Sequence, residues 1–460
     1  MKIMKIMKTI VFTCLLVFAT LGHSTPASFD DDLRRFASSD SVGYSVLISQ
    51  NGKVVYKEAR GLANIELNVP MKSHHIFEIG SLTKQFTAVA ILLLAQDGVL
   101  SLEDNISKYI PSISTTKSDV TLRHLLSHTS GLVDPINDPE FLKTRIQENV
   151  SLDALISQFK NGRWQHVAGE QMHYSNVGYS MLALVIEKVS GLAYKTFLNT
   201  RIFEPLDMHN TSKASFNLTS GKVTGYTFDG NDPWQHDFVN LNWAYGAADL
   251  LSTTEDLSLF THALMQGKVL NKEHLHSFLS PVLLNDGAQR QGSFTYSLSL
   301  AWNVDAISTS GSTLGYSSHS IYLPNSNTFV VVLSNSDGVN GGSWIPPATV
   351  AGKLTTTFLA VPIPDYKYVP IPDISASRFI GNYEMDKNTL RKLSFDKGHY
   401  FYQRNDGPIY PVIPMGENSF YFKDTLSHFK INKPGTAKRS MDFYNFLNNE
   451  PDNALLVVRK

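Results

Sequence analysis

Apolar and polar residues alternate along two parts of the chain, one early and one late. Residues 43–60 alternate around Asn51-Gly52, the pair that best supplies the positive backbone angles of a two-residue turn, so we predict a β-hairpin. Residues 317–323 and 328–334 contain Val, Ile, Tyr and Phe and are joined by Pro-Asn-Ser-Asn, which predicts a second hairpin. We expect the early and late strands to form one sheet.

The middle of the chain has patterns that are typical of buried helices. Residues 83–96 are strongly apolar, and residues 179–189 are apolar on nearly all sides and stop before Gly191, a common helix terminator. Ser252 and Glu255 stand at the spacing of a capping box before another apolar run. We therefore predict a further helix that starts near Ser252.

The first residues have the composition of a secretory signal. Lysines are followed by an apolar run over residues 9–21 and then by small residues. A membrane anchor is the alternative, but the run is shorter than the ~18 residues of a spanning helix. We predict a signal peptide at residues 1–24, cleaved between Gly22 and Ala27, and export to a bacterial periplasm or the medium. Cys14 is the only cysteine, so the mature chain is expected to lack disulfides and cysteine catalysis.

The rest of the chain divides at a run of prolines. We predict one large domain over residues 25–360, a stiff Pro-rich linker over residues 361–374, and a small domain over residues 375–460. The last of these consists of short aromatic-rich runs separated by Gly, Asn and Asp, which predicts an all-β fold.

Composition and charge limit the classes of function. With 42% hydrophobic and 18% charged residues in 460, the chain can bury a large core and a smaller one. Its formal net charge of −1, without a basic cluster interleaved with aromatic residues, argues against a nucleic-acid partner.

Ser81 and Lys84 form the first candidate catalytic pair. They flank Leu-Thr at the start of the predicted helix over residues 83–96, so the two side chains lie one turn apart on the same face. A serine hydroxyl becomes a useful nucleophile when a nearby base takes its proton, and a neutral lysine amine can do so. In the alternative interpretation, Ser81 only caps the helix and Lys84 is solvated.

Two more sets of polar residues lie before or within predicted helices. Tyr174-Ser175-Asn176 comes just before a buried helix, and its phenol could relay protons while its amide positions Lys84 or a substrate carbonyl. The alternative is an ordinary polar loop. His124 and His128 are spaced to share one helix face and could bind zinc, but no glutamate follows His124 as in zinc proteases, so we favour a structural role.

The order of these motifs resembles the penicillin-recognising serine hydrolases, which include class C beta-lactamases, DD-peptidases, D-aminopeptidases and related esterases. The resemblance extends from about residue 43 to residue 359 and includes Phe-Glu-Ile-Gly-Ser-Leu-Thr-Lys at 77–84, Asp-Gly-Val-Leu-Ser-Leu at 97–102, Leu-Arg-His-Leu-Leu-Ser-His-Thr-Ser-Gly-Leu at 122–132 and Phe-Glu-Pro-Leu-Asp-Met at 203–208. It implies an α+β fold, with an antiparallel sheet flanked by helices and an all-helical lobe. The small C-terminal domain resembles the lipocalin-like barrels attached to some relatives.

The family's third motif is altered in this chain. Relatives have a lysine or histidine, a small residue and a glycine on a strand that faces the serine, where this chain has Thr309-Ser310-Gly311. By the resemblance, the missing cation would bind a substrate carboxylate, so Thr309 puts efficient action on D-alanyl peptides and classical beta-lactams in doubt. Gly311 still permits close approach, and the N–H of Ser312 could form an oxyanion hole with that of Ser81. His319 lies past this motif and is predicted to be a strand residue.

These residues together predict hydrolysis through an acyl-enzyme. Lys84 and Tyr174 would activate Ser81, with Asn176 on the carbonyl side and the base left open between Lys84 and Tyr174. The expected substrates are small molecules or peptides with amide, ester or beta-lactam carbonyls, including peptidoglycan-derived ones. The mechanism needs no metal or organic cofactor. The alternative is a penicillin-binding or cell-wall-fragment sensor that acylates with little turnover; the oligomeric state stays open.

Overall fold

The computed structural model describes residues 26–457 except for 114–118, 135–144, 158–163, 216–218, 230–231, 236–237, 289–293, 295–296, 302–303, 339–343, 361–372, 387–388, 406–408, 416–417, 423–426 and 445–451. The strands before the Pro-rich segment are β1 (Tyr44–Gln50), β2 (Lys53–Arg60), β3 (Leu62–Asn64), β4 (Val69–Pro70), β5 (Phe77–Glu78), β6 (Ser212–Lys213), β7 (Tyr226–Asp229), β8 (Asp232–Gln235), β9 (Leu250–Ser252), β10 (Ser297–Ala301), β11 (Val304–Thr313), β12 (Tyr316–Leu323) and β13 (Thr328–Ser334). Six of them form an antiparallel sheet in the order β10-β11-β12-β13-β1-β2.

Both predicted hairpins are confirmed. The first turns at Asn51 and Gly52, whose φ angles of 53° and 77° are those that the pair tolerates better than other residues. The second joins β12 to β13, and β13 then pairs with β1 from Tyr44↔Ser334 to Gln50↔Thr328. The early and late strands therefore share one sheet, as expected.

The helices are α1 (Pro26–Phe36), α2 (Thr83–Gln96), α3 (Leu122–Leu126), α4 (Leu152–Ser157), α5 (Asn176–Ser190), α6 (Tyr194–Leu198), α7 (Thr254–Met265), α8 (Lys272–Leu279) and α9 (Pro347–Phe358). Helix α2 has the predicted bounds, and α5 ends at Gly191 in the left-handed conformation, with φ of 71°. The helix predicted to start near Ser252 is present as α7, but Ser252 is not its cap. Its N-cap is Thr253, whose hydroxyl accepts from the N–H of Asp256, whereas Ser252 pairs with Phe77 in the sheet.

Two layers of helices cover the two faces of the sheet. In β1, Val46 and Ile48 pack with helices α1 and α9, whereas Leu47 points to the opposite face and joins the core built around α2 and α5. In β13, Val330 lies in the core with α1 and α9, and Val331 lies in the core around α2 and α5. Strands buried on both faces are expected to be apolar without interruption, which accounts for the Phe-Val-Val-Val-Leu run in β13. The result is the predicted sheet flanked by helices, with a helical lobe on one side.

The C-terminal strands close into a barrel. They are β14 (Gly381–Asp386), β15 (Thr389–Asp396), β16 (His399–Arg404), β17 (Ile409–Pro414), β18 (Ser419–Phe422), β19 (His428–Asn432), β20 (Ser440–Tyr444) and β21 (Asp452–Val457). Aromatic side chains fill its core, among them Tyr400, Phe420 and Phe429, with the last two stacked at 5.1 Å. The small all-β domain is thus confirmed as a fold, and its boundary at residue 375 stays a prediction.

The predicted ends of the large domain lie partly outside the described residues. The signal peptide at residues 1–24 and the prolines of the linker up to residue 372 are outside the described residues, so both stay predictions. Within the described part of the chain, no helix is both long and apolar enough to cross a membrane.

Candidate active site

The hydroxyl of Ser81 lies in a tight turn that leads into α2. Gly80–Leu82 form a single 3-10 turn, and Gly80 has a φ of 54°, in the left-handed region that favours glycine. A Cβ on Gly80 would also overlap the backbone nitrogen of Ser312 in β11. The turn therefore places Ser81 against strand β11, with its side chain partly exposed.

Lys84 is the charged residue of α2 and is almost completely enclosed. Its side chain is 2% exposed, although burying an ammonium group costs several kcal/mol unless its hydrogen bonds are satisfied. Lys84 Nζ lies 3.2 Å from Ser81 Oγ, 2.7 Å from Asn176 Oδ1 and 3.0 Å from the carbonyl oxygen of Ala247. The predicted nucleophile and amine are thus neighbours, and each N–H of the amine has an oxygen to meet.

Tyr174 and Asn176 reach the same point from the start of α5. The N-cap of this helix is Ser175, whose hydroxyl accepts from the N–H of Gly178, and Tyr174 and Asn176 lie on either side of this cap. The phenol of Tyr174 donates to Ser81 Oγ at 2.8 Å. The backbone N–H of Asn176 donates to Asp134 Oδ2 at 2.5 Å, which fixes the helix end.

A turn at Gly246 and Ala247 completes the surroundings of Lys84, and no sequence pattern marked it. Thr87 Oγ1, one turn along α2 from Lys84, donates to the carbonyl of Gly246 at 2.6 Å. The N–H of Gly246 donates to the buried carboxylate of Asp249 at 3.0 Å. Burial raises the pKa of Asp249, against the opposing effect of the Lys213 ammonium 3.3 Å away. These contacts hold the Ala247 carbonyl toward Lys84.

Strand β11 places the altered third motif beside Ser81. Because side chains alternate across a strand, Thr309 and Gly311 share the face toward Ser81 and Ser310 points the other way. A Cβ on Gly311 would overlap the carbonyl oxygen of Ile79 and come within 2.8 Å of the Ser81 backbone nitrogen. Thr309 is 8% exposed and brings no charge to this face.

His319 does not replace the missing cation. It pairs with Ser310 across β11 and β12, and its Nδ1 lies 2.7 Å from Ser310 Oγ, on the face of the strand away from Ser81. Burial lowers the pKa of His319 to about 4, so the ring is neutral at physiological pH. The prediction that His319 is a strand residue is confirmed.

His124 and His128 have separate partners. His124 Nδ1 lies 3.1 Å from the backbone N and from the hydroxyl of Thr121, the N-cap of α3, in a capping box. His128 Nδ1 accepts from the backbone N–H of Ser175. Among the residues that the structure describes, no group of three or more His, Cys, Asp or Glu is arranged to hold a metal.

Comparison with known proteins assigns the large domain. The sequence model of the beta-lactamase family matches residues 29–344, which is more than half of the chain. The chain belongs to the beta-lactamase family. This match includes every residue of the predicted site, from Ser81 to Ser312.

Relatives within and around the family agree with this assignment. The chain is 28% identical over 420 residues to "Penicillin-binding protein 4*" of Bacillus subtilis, covering 87% of this chain and 92% of the relative. Its fold is similar to that of an octameric penicillin-binding protein homologue from Pyrococcus abyssi, with TM-score 0.65 and 22% identity over 93% of this chain and 98% of the other. D-amino acid amidase from Ochrobactrum anthropi gives TM-score 0.60 and 23% identity, over 72% and 98%. Family and neighbours together support a serine hydrolase.

Replacing Gly311 with alanine is expected to damage the site and the fold together. The new methyl group would push against Ile79 and Ser81, so we expect a loss of about 1–3 kcal/mol in the free energy of unfolding and of roughly 100-fold in kcat. Thermal unfolding and ester hydrolysis measure the two effects. Gly178→Ala is the matched control, because a Cβ there has ordinary contacts at 3.6 Å or more, inside a helix. Normal activity in Gly311→Ala would contradict the close contact of Gly311 with the backbone of Ile79 and Ser81.

Proposed function

We propose that the protein is an exported serine hydrolase that forms an acyl-enzyme at Ser81 on amide, ester or beta-lactam carbonyls. One observation carries this proposal: Ser81 Oγ lies within hydrogen-bond reach of both Lys84 Nζ, at 3.2 Å, and the Tyr174 hydroxyl, at 2.8 Å. A nucleophile beside a base that is itself oriented by further groups is the arrangement that covalent catalysis requires.

The partners of Lys84 favour this amine as the base for acylation. Asn176 Oδ1 and the Ala247 carbonyl oxygen can only accept, so each takes one N–H of the amine. A neutral amine then has its lone pair left for the hydroxyl proton of Ser81. Ser81 Oγ attacks the substrate carbonyl while its proton passes to Lys84.

In this mechanism Tyr174 carries the proton onward. Its hydroxyl contacts Ser81 Oγ and its side chain is 42% exposed, so it can also meet the leaving group in the cleft. The bond between the carbonyl carbon and the leaving group breaks as that group takes the proton. Water then adds to the acyl-enzyme, and the acid leaves as Ser81 regains its proton. The backbone N–H groups of Ser81 and Ser312 would bind the oxyanion in both steps.

The neutral third motif favours substrates without a carboxylate at the leaving group. Thr309 occupies the position of the family's cation, and His319 is neutral and on the other face of the strand. We therefore rank esters and amides, including those of D-amino acids, above D-alanyl peptides and classical beta-lactams. One structural neighbour is a D-amino acid amidase, which is consistent with this ranking, and its 23% identity to this chain shows a shared fold.

A lysine at position 309 is expected to restore action on carboxylate-bearing substrates. In Thr309→Lys, kcat/KM for penicillin and for a peptide ending in D-Ala-D-Ala should rise about 10-fold, since a charge-assisted hydrogen bond contributes roughly 1.5 kcal/mol or more. For a neutral chromogenic ester, kcat/KM should change by less than about 3-fold. Steady-state kinetics on the three substrates measures the difference.

Two controls separate charge from shape. Thr309→Met has a similar length without a charge and should gain nothing, and the methyl ester of the same D-Ala-D-Ala peptide should not benefit from Thr309→Lys. If Thr309→Lys and Thr309→Met act alike on every substrate, the assignment of Thr309 to the carboxylate position is wrong.

Intact-protein mass tests the acyl-enzyme itself. We expect the purified mature protein to gain one fluorophosphonate adduct, and to hydrolyse a small chromogenic ester over many turnovers. Stoichiometric labelling by the ester or by penicillin, without turnover, would favour the sensor function instead. Absence of any adduct would remove the catalytic assignment.

A further inference from the structure

His128 lies directly behind the catalytic tyrosine and is so far without a role. It follows α3 in the Ser-His-Thr-Ser-Gly segment, is 3% exposed, and has a φ of 60°. This backbone conformation is uncommon for residues other than glycine, and histidine, asparagine and aspartate tolerate it best. A buried, polar residue in a strained conformation beside a catalytic group indicates a specific function.

His128 holds the chain on both sides of Tyr174. Its carbonyl oxygen accepts from the N–H of His173 at 2.7 Å, and its ring Nδ1 accepts from the N–H of Ser175 at 3.2 Å. These two hydrogen bonds come from one residue and end on the residues immediately before and after Tyr174. They fix the backbone from which the tyrosine side chain projects.

The imidazole ring of His128 also supports the phenol ring itself. The rings of His128 and Tyr174 are stacked, with centroids 4.4 Å apart and planes at 28°, and the buried Tyr179 ring lies 5.1 Å from His128. Lys84 Nζ lies 4.6 Å from the centroid of the Tyr174 ring. Tyr174 is therefore guided by an aromatic contact as well as by its hydrogen bond to Ser81.

The hydrogen bond to Ser175 requires a neutral ring. An N–H donor needs a lone pair on Nδ1, which a protonated imidazole does not have. Burial, the Lys84 ammonium and His173 lower the pKa of His128 to about 3. The ring thus stays an acceptor at any pH at which a hydrolase is ordinarily assayed.

We propose that His128 is a positioning residue that orients the Tyr174 hydroxyl toward Ser81, through two hydrogen bonds that flank Tyr174 and a stacked ring. This proposal rests on the role proposed above for Tyr174. It gives a catalytic purpose to a histidine that the spacing to His124 had marked only as an alternative metal ligand. The contacts of His128 that carry this proposal go to Tyr174 and its two neighbours in the chain.

Two substitutions separate the two kinds of support. In His128→Asn, the amide oxygen replaces Nδ1 and the backbone conformation is tolerated, but the ring is lost; we expect kcat to fall about 3- to 10-fold. In His128→Phe, the ring remains but a C–H faces the Ser175 N–H; we expect a fall of about 10- to 100-fold. In both variants KM should stay within about 2-fold, because the substrate contacts are intact.

A double-mutant cycle with Tyr174→Phe tests whether His128 acts through the tyrosine hydroxyl. Once that hydroxyl is absent, either substitution at position 128 should lower kcat by less than about 2-fold further. Equal losses with and without the hydroxyl, or no loss in the Tyr174 enzyme, would overturn the proposal. If His128→Phe does not fold, as circular dichroism would reveal, His128→Asn completes the cycle on its own.

The cycle also distinguishes this proposal from the proposed function. If Tyr174→Phe alone retains full kcat, the catalytic role of Tyr174 is wrong and the positioning role fails with it. If Tyr174→Phe loses most of its kcat but the losses at position 128 are additive, only the positioning role fails. Fluorophosphonate labelling of Ser81 in every variant reports whether the nucleophile is intact.

Discussion

The Ser81→Ala variant should show no ester turnover and no covalent adduct, while it keeps the fold of the parent protein. In the proposed mechanism Ser81 supplies the atom that bonds to the substrate carbonyl, and its neighbours Lys84 and Tyr174 act only on its proton. We expect kcat to fall by at least about 10⁴-fold, since enzymes that lose their serine nucleophile retain only the contribution of binding and of the oxyanion hole. Ester hydrolysis and intact-protein mass after fluorophosphonate treatment measure the loss.

Stability should change little in Ser81→Ala, because the hydroxyl is partly exposed and water can take its place beside Lys84 and Tyr174. Ser157→Ala is the matched control: it removes an exposed hydroxyl from the end of α4 and should be fully active and fully labelled. Labelling of Ser81→Ala at the parent rate would mean that another residue is the nucleophile.

The architecture was predictable wherever the apolar pattern leaves one solution. A largely apolar stretch of 14 residues such as α2 is too long for an ordinary strand, and the short apolar run in β13 lies between turn residues. The N-cap of α7 could not be predicted, because Ser252, Thr253 and Thr254 are consecutive hydroxyl residues that could each cap a helix. The pairing of Ser252 with Phe77 decides between them, and that contact is not visible in a single sequence.

Site residues that are close in sequence were easier to predict than site residues that are far apart. Ser81 and Lys84 are one helical turn apart, so their spacing alone predicts that they meet. Tyr174 and Asn176 are distant in sequence, and only the resemblance to a known family placed them beside Ser81.

The supports of the site left no signal in the sequence. The Ala247 oxygen that meets Lys84 belongs to the backbone, which every residue has. Asp134 accepts from the N–H of Asn176, far along the chain, whereas Asp249 accepts from the N–H of Gly246 within one turn. Such contacts depend on how loops pack together, and neither composition nor periodicity records that.

Replacing Lys84 with methionine is expected to remove activity and to stabilise the fold. The side chain is 2% exposed, and among the described residues no carboxylate lies within ion-pair distance of its Nζ. A buried amine in that position has lost its hydration and gained only oxygen atoms of an amide, a hydroxyl and a carbonyl. Methionine has nearly the same length and carries no such cost, so we expect the free energy of unfolding to rise by about 1–3 kcal/mol.

Activity in Lys84→Met should fall by about 10³- to 10⁵-fold in kcat, because the proposed base for the Ser81 proton is then absent. Ester kinetics and thermal unfolding of the same preparation give both quantities. Lys195→Met removes an exposed lysine from α6 and should alter neither activity nor stability by more than a small amount. A more stable and inactive Lys84→Met would show that this buried amine serves catalysis and lowers the free energy of unfolding. A variant that is destabilised and still active would instead make Lys84 a structural residue that joins α2 to Asn176 and Ala247.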